Sequence, residues 1–300
     1  MGSVSKESKN PMSLNGQILG QYEIIEEVGA GGMATVYKAY QAGLDRYVAI
    51  KVLPAQHALT PGFTERFFLE AKAVAQLSHP NILPIYDVGV EGDLSYFVMK
   101  YVPGHTLLDI LTHKLDLAKI SHFIDQIAAA LDHAHDHNIV HRDVKPSNIL
   151  VEGDDWLLLA DFGLAKITQS GHKLTGSGAI MGTPEYLAPE QASGDPVDHR
   201  SDIYSLGIVL YEMVMGQVPY EADTPMGVMF KHIYEPVPRP RKLKPDLPAG
   251  VEAVILKAIA KDPGDRFNRA GDLAEALRAQ LWPAAITLPP AEAQTQPARL

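Results

Sequence analysis

The 300-residue chain has no cysteine, which excludes disulfides and thiolate metal sites and suits a reducing compartment without requiring one. It also has no apolar run of the ~18 residues a membrane-spanning helix needs. The nearest candidate, 203–215, is shorter and carries Ser205 and Glu212, so it reads as a buried core helix. The N-terminus has no apolar signal core, and Lys6 stands where a myristoylation signal after Met1-Gly2 needs Ser or Thr. No internal repeat is evident. Positive charge is scarce as well: the net charge of -10 argues against a nucleic-acid partner, whose phosphates call for clustered Lys and Arg. The one basic cluster, Arg239, Arg241, Lys242 and Lys244, sits in 236–248 among five prolines and reads as a solvated loop.

What remains is an ordinary globular composition, 46% hydrophobic and 21% charged, long enough for two lobes. Residues 1–17 lack apolar periodicity and read as a flexible arm. Short β-prone stretches at 22–28, 34–40 and 47–53 predict an antiparallel meander, followed by a helix over 63–77 and strands over 82–90 and 94–101. After Pro103-Gly104 the pattern turns helical, which places a lobe boundary near residue 102. A long helix over 117–137 carries Ile120, Ile124, Ile127, Leu131 and His135 on one stripe; further helices are predicted over 203–215 and 251–260, and a last one from an Asp272 N-cap to residue 281. Residues 283–300 read as a Pro/Ala-rich linker.

The chemistry is carried by four segments. Gly29-Ala30-Gly31-Gly32 lies between two strand-like stretches, where glycines let backbone amides approach phosphate oxygens and Val36 can close over a base. A dinucleotide fold would want a helix straight after the glycines, whereas Thr35-Val36-Tyr37 continues as strand. In Val48-Ala49-Ile50-Lys51 a strand lysine can pair with phosphates if a carboxylate holds it, and Glu70 on the 63–77 helix is the natural holder. In His141-Arg142-Asp143-Val144-Lys145-Pro146-Ser147-Asn148, Asp143 can accept a hydroxyl proton, Lys145 can neutralise a transferring phosphoryl group and Asn148 can bind a metal. Asp161-Phe162-Gly163 then offers a carboxylate to Mg²⁺, and Ala188-Pro189-Glu190 closes the intervening loop.

In order and spacing these motifs resemble a eukaryotic-type protein kinase catalytic domain, most like the bacterial Ser/Thr protein kinases, over residues 18–282. The resemblance implies an α+β, bilobal fold: a small antiparallel-β N-lobe with one main helix (18–101) and a larger α-helical C-lobe (102–282), with ATP between them. It implies that Lys51 pairs with Glu70, that Asp143 is the catalytic base, and that Asn148 and Asp161 hold Mg²⁺, or Mn²⁺ in its place. Met99 becomes the gatekeeper, the backbone of Lys100 and Val102 the adenine hydrogen-bonding edge, and Val28, Val36, Ala49 and Leu150 the walls around the base. Asp202 becomes a brace for the catalytic loop, and Glu190 a structural partner of Arg266.

Lys145 and the segment Gly182-Thr183-Pro184-Glu185-Tyr186 resemble the Ser/Thr class, with Thr183 expected to hydrogen-bond near Asp143 and Lys145. Two departures stand out: Ala34 replaces the third glycine of the phosphate loop, and Lys100 stands where many relatives carry an acid, a change expected to alter surface charge alone. Protein substrates follow from the resemblance, as does autophosphorylation at Thr175, Ser177 or both through a transient homodimer, with the phosphate meeting Arg142. A cytoplasmic location follows too, in similar kinases often as the intracellular domain of a longer membrane-anchored receptor kinase. The rival readings are a silent pseudokinase, which would have lost Lys51, Asp143, Asn148 or Asp161, and a small-molecule phosphotransferase, which the long loop ending in Ala188-Pro189-Glu190 disfavours. A zinc site on His133 and His137 lacks the glutamate of a zinc-protease motif, and His141 already belongs to the catalytic loop.

Overall fold

The computed structural model describes residues 14–30, 34–53, 63–162 and 183–281, excepting the side chains of Ala30, residues 63–67 and Glu70. Gly31, Gly32, Gly163, Thr175, Ser177 and the 283–300 linker therefore lie outside the described residues. Residues 14–17, which the sequence assigns to the arm, are tied to the sheet: Gly16 N–H donates to Ile24 O and Ile24 N–H to Gln17 O, each at 2.9 Å.

The smaller lobe is a six-stranded antiparallel sheet. It contains β1 (Ile18–Leu19), β2 (Tyr22–Ala30), β3 (Thr35–Gln41), β4 (Arg46–Leu53), β5 (Ile85–Glu91) and β6 (Leu94–Lys100), in the order β1-β2-β3-β4-β6-β5. One helix, α1 (Phe63–Ala75), precedes β5. Alternation along β4 buries Val48, Ile50 and Val52 against Ile24, Tyr37 and Val98 on one face and points Ala49 to the other. The strand expected over 82–90 begins only at Ile85, because Ile82 forms an isolated parallel bridge to Leu159 of the other lobe.

The larger lobe opens with a three-stranded sheet that the sequence did not reveal. β7 (His105–Thr106) is followed by α2 (Leu107–Ile110) and α3 (Leu117–Asp136), then by the hairpin of β8 (Ile149–Glu152) and β9 (Trp156–Leu159). α3 is capped by Asp116, whose side chain accepts the Lys119 N–H at 2.7 Å, and it buries the expected stripe Ile120, Ile124, Ile127 and Leu131.

The helices α4 (Pro189–Ser193), α5 (Arg200–Met215), α6 (Pro225–Tyr234), α7 (Pro240–Leu243), α8 (Ala249–Ala258) and α9 (Ala270–Leu281) complete the lobe. α5 is buried almost all round, and a Cβ on Gly207 would stand 2.7 Å from Ala258 Cβ, so only glycine allows α5 to approach α8 this closely. α6 was not foreseen, and the proline-rich stretch expected to be loop holds the one-turn α7, because Pro240 occupies the N1 position a helix tolerates. α9 starts at Ala270, two residues before the expected cap. Asp132 of α3 caps it, accepting the Ala270 and Gly271 N–H groups at 2.9 and 3.1 Å, while Asp272 sits in the first turn and accepts the Arg269 N–H. No helix among the described residues is long and apolar enough to cross a membrane.

Candidate active site

The site is built where the β8–β9 hairpin meets the smaller lobe. The segment between α3 and β8 is held by Asp202, fully buried in the first turn of α5. Its Oδ2 accepts the His141 N–H at 2.8 Å and its Oδ1 the Arg142 N–H at 2.6 Å, while His135 Nε2 lies 2.8 Å from Oδ2. Gln191 of α4 donates from Nε2 to Arg142 O at 3.0 Å. Arg142 is thus gripped at both backbone groups, which holds it at φ 67°. Asp161 also has positive φ, 62°, so two of the four such non-glycine residues among those described fall in this site. A strained backbone of this kind persists only where its surroundings impose it.

His141 accepts the Asp143 N–H at Nδ1 (3.2 Å), so its Nε2 carries the proton and donates to Ala160 O at 2.8 Å. Its ring packs 4.5 Å from that of the buried Phe162. This imidazole therefore fastens the backbone of the 141–148 loop to the residue before Asp161. Of the other histidines in the 133–141 run, His135 is committed to Asp202 and His137 bonds through Nδ1 to His133 O at 2.8 Å, while the His133 ring packs between those of His79 and His137 with its Nε2 buried and without a hydrogen-bond partner among the described residues.

The charged groups converge in two pairs. Lys145 Nζ lies 2.9 Å from Asp143 Oδ2, the same oxygen to which Asn148 Nδ2 donates at 2.8 Å. Asn148 Nδ2 also donates to Asp143 O at 2.9 Å, which leaves the amide oxygen of Asn148 as its free ligand atom. Lys51 Nζ lies 2.7 Å from Asp161 Oδ1. Burial pushes the Asp161 carboxyl upward, but the adjacent Lys51 ammonium outweighs this and holds it below the ordinary carboxylate value. The hydrogen bond from Ala160 N–H to Asn148 O, 2.9 Å, sets Asn148 beside the strand end that carries Asp161. A carboxylate and an amide oxygen so placed fit a hard divalent cation such as Mg²⁺ or Mn²⁺.

Beside these charges lies an apolar cluster. Ala49, Met99, Val36, Val102 and Leu150 belong to one cluster drawn from both lobes, together with Leu158 and Ala160, which the sequence reading missed. Leu158 faces Leu150 across the hairpin, a register hidden until β8 and β9 are recognised as strands. Val28 falls in an irregular stretch of the β2–β3 pairing and is 46% exposed. Gly29 and Ala30 pair with Val36 and Thr35. Lys100 N–H is taken by Pro84 O at 3.1 Å, so the group that residue can turn toward a base is its carbonyl.

Three expectations need qualification. Glu70 lies on α1, but its side chain is outside the described residues, and the partner seen for Lys51 is Asp161. Thr183 is exposed and has no side-chain partner among the described residues; Asp143 and Lys145, two positions apart on a tight loop, satisfy each other instead. Lys100 does more than alter surface charge: its Nζ lies 2.6 Å from Glu152 Oε1 and 2.7 Å from Oε2, joining β6 to β8. Nothing local to either residue announces a partner that far along the chain.

Residues 22–282 match the family model described as the protein kinase domain. The chain is 41% identical over 264 residues to the serine/threonine-protein kinase PrkC of Bacillus subtilis, covering 87% of this chain and 41% of that protein. It is 44% identical over 259 residues to a probable serine/threonine-protein kinase of Clostridium acetobutylicum, with 86% and 39% covered. It thus spans about two fifths of the length of these curated relatives. Among solved structures, the PknI kinase domain of Mycobacterium tuberculosis superposes with a TM-score of 0.71 at 28% identity, covering 90% of this chain and 100% of that one.

Proposed function

The chain belongs to the protein kinase domain family, and from that premise we propose that it transfers the γ-phosphoryl group of ATP to serine and threonine hydroxyls of proteins. The observation that carries the reading is the convergence of two lysine–aspartate pairs, Lys145–Asp143 and Lys51–Asp161, beside an apolar cluster shared by both lobes.

Asp143 has one carboxylate oxygen engaged by Lys145 and Asn148; the other can orient a substrate hydroxyl and accept its proton. Lys145 stands within reach of the transferring group and can offset its charge. The Lys51–Asp161 pair holds two opposite charges ready to exchange partners, the ammonium taking phosphate oxygens and the carboxylate, with Asn148, a divalent cation. That cation, Mg²⁺ or Mn²⁺, would neutralise charge on the phosphates. Ala49, Val36, Met99 and Leu150 exclude water around the adenine, the Lys100 carbonyl and Val102 amide supply its hydrogen-bonding edge, and Val28 and the glycine-rich turn close over it. Beyond the acids, the Thr183–Glu185 turn borders a cavity of about 350 Å³ shared with Asp223 and Val228, room for a stretch of substrate chain.

Lys51→Met tests the reading. It removes the cation while keeping the stem, and should lower kcat/KM for a generic protein substrate by roughly ten- to hundredfold, the scale of a lost charge-assisted hydrogen bond. If Glu70 also holds Lys51, Glu70→Gln should reproduce part of that loss. A rate equal to that of the parent in Lys51→Met, measured with radiolabelled ATP, would sink the assignment.

Control follows from Arg142, whose Nε is buried without a partner among the described residues. A buried guanidinium nitrogen left this way attracts an anion. Phosphate on Thr175 or Ser177, added by a second copy in a transient dimer, would supply one and tie its segment to the loop that carries Asp143. The Thr175→Ala, Ser177→Ala double variant is expected to lose on the order of tenfold in rate, and mass spectrometry of protein made with and without a co-expressed phosphatase should find these two hydroxyls modified. Modification elsewhere, with full activity in the double variant, would remove this mechanism. The same reading places the domain in the cytoplasm, where ATP is held.

A further inference from the structure

The chain crosses from the smaller lobe to the larger through four residues between β6 and β7, Tyr101, Val102, Pro103 and Gly104. The last of these is anchored: Gly104 has φ +136°, and a Cβ there would stand 3.2 Å from Val151 O. His105 then pairs with Val151, one residue before Glu152. At the other end, Lys100 is fixed in the smaller lobe's sheet through its register with Val48 and its N–H bond to Pro84 O. Lys100 and Glu152 therefore stand in the sheets of different lobes, yet Nζ lies within 2.7 Å of both carboxylate oxygens. Any change in the angle between the lobes along this edge must stretch or break that contact.

We propose that Lys100 and Glu152 are positioning residues, an ionic clasp across the linker that sets how far the nucleotide cleft opens. Both side chains are about one-third exposed, so the pair adds little to folding stability. Its leverage lies elsewhere. Open and closed arrangements of two lobes differ by small free energies, and a contact made in one and lost in the other moves their ratio by its full strength, up to about fivefold for a pair exposed to this degree. The clasp also steadies the backbone whose carbonyl at Lys100 and amide at Val102 face the adenine. The effect on nucleotide rests on the ATP reading above; the effect on the linker does not.

The test is a charge swap. Lys100→Glu sets two carboxylates against each other and Glu152→Lys two ammoniums, while the double swap restores the pair with reversed polarity. Hydrogen exchange of the 101, 102 and 104 amides is followed in nucleotide-free protein, and MgADP affinity is measured by titration calorimetry, with melting temperature recorded alongside. Each single reversal should speed linker exchange and weaken MgADP by about five- to tenfold. The double swap should return both to within about twofold of the parent, a rescue that general destabilisation cannot produce. In the parent, NaCl near 1 M should mimic part of the single-variant effect. Parent-like exchange and affinity in the single reversals, or a double swap as weak as the singles, would overturn the clasp. A parent chain that binds no adenine nucleotide would instead defeat the ATP reading, and linker exchange alone would then decide the clasp.

Discussion

Replacing Asp143 with asparagine is expected to lower the turnover of protein phosphorylation by about 10²-fold or more while leaving MgATP affinity within about twofold. The asymmetry comes from the separation of tasks in the site. Asp143 Oδ2 is occupied by Lys145 and Asn148, and its Oδ1, without a partner among the described residues, is the atom free to take a hydroxyl proton. An amide of the same shape can still accept the Asn148 N–H but cannot take up a proton near neutral pH. Of the groups assigned to phosphate and metal, Lys51 and Asp161 stand on β4 and beyond β9, away from the substitution, and Asn148 keeps its bond to the backbone carbonyl of residue 143 and gains an amide oxygen in place of the carboxylate one. Steady-state kinetics with a serine-containing protein, together with calorimetric ATP binding, separates the two quantities. A purified variant free of contaminating kinase that turns over at the parent rate would remove Asp143 from the chemistry; one that also loses ATP would show that Asp143 acts on the cleft as a whole.

The parts of the site readable from sequence are those in which function needs several residue types within a few positions. His141 to Asn148 compresses a backbone anchor, an acid, a cation and an amide into one loop, and Val48 to Lys51 declares itself as an apolar strand interrupted by one charge. The helix stripe of α3 was legible because its period is long and its cap is local. What escaped was set by partners distant in sequence. The start of α9 depends on Asp132, far back on α3, whereas the only cap suggested by neighbouring residues is Asp272. The β8–β9 hairpin lies directly behind the catalytic motif, and its four-residue strands are too short for alternation to show. Without that hairpin neither Leu158 nor Glu152 could be placed, and Lys100 was left looking like a solvated charge. Gln191 offers a similar case: nothing beside the conspicuous Glu190 singles it out in the sequence, yet its amide holds the carbonyl of the strained Arg142.

The largest expected loss of stability comes from breaking the pair between Glu190 and Arg266, and the arginine should matter more. Arg266 is buried with every guanidinium nitrogen engaged: Nη1 and Nη2 reach Glu190 at 2.8 Å each, Nη1 and Nη2 also reach the carbonyls of Arg200 and Lys261 at 3.0 Å, and Nε donates to Ala260 O at 2.8 Å. Glu190→Ala leaves that cation with three carbonyls still around it. Arg266→Ala leaves a carboxylate near Ser201 Oγ, three unsatisfied carbonyls and a cavity beside Tyr204. Severing a buried pair costs about 3–5 kcal/mol, a large share of the ~5–15 kcal/mol that holds a domain folded, and Arg266→Ala should lie at the upper end. Lys in its place should not rescue, because one ammonium cannot span the carboxylate and three carbonyls. The pH dependence gives a sharper check. Burial raises the Glu190 carboxyl, but the Arg266 and Ser201 hydrogen bonds outweigh it and bring it below its ordinary 4.5. A carboxyl lowered on folding contributes stability that is complete above pH 4.5 and fades as pH falls toward the folded value. Without Arg266 burial acts largely unopposed, the folded carboxyl rises above its unfolded value, and the variant recovers stability as acid protonates it. The gap between parent and Arg266→Ala, measured by urea unfolding, should therefore narrow from pH 7 to pH 4. A gap that stays constant would mean that the lost stability is cavity and packing, and that Glu190 is not held as a charge by Arg266.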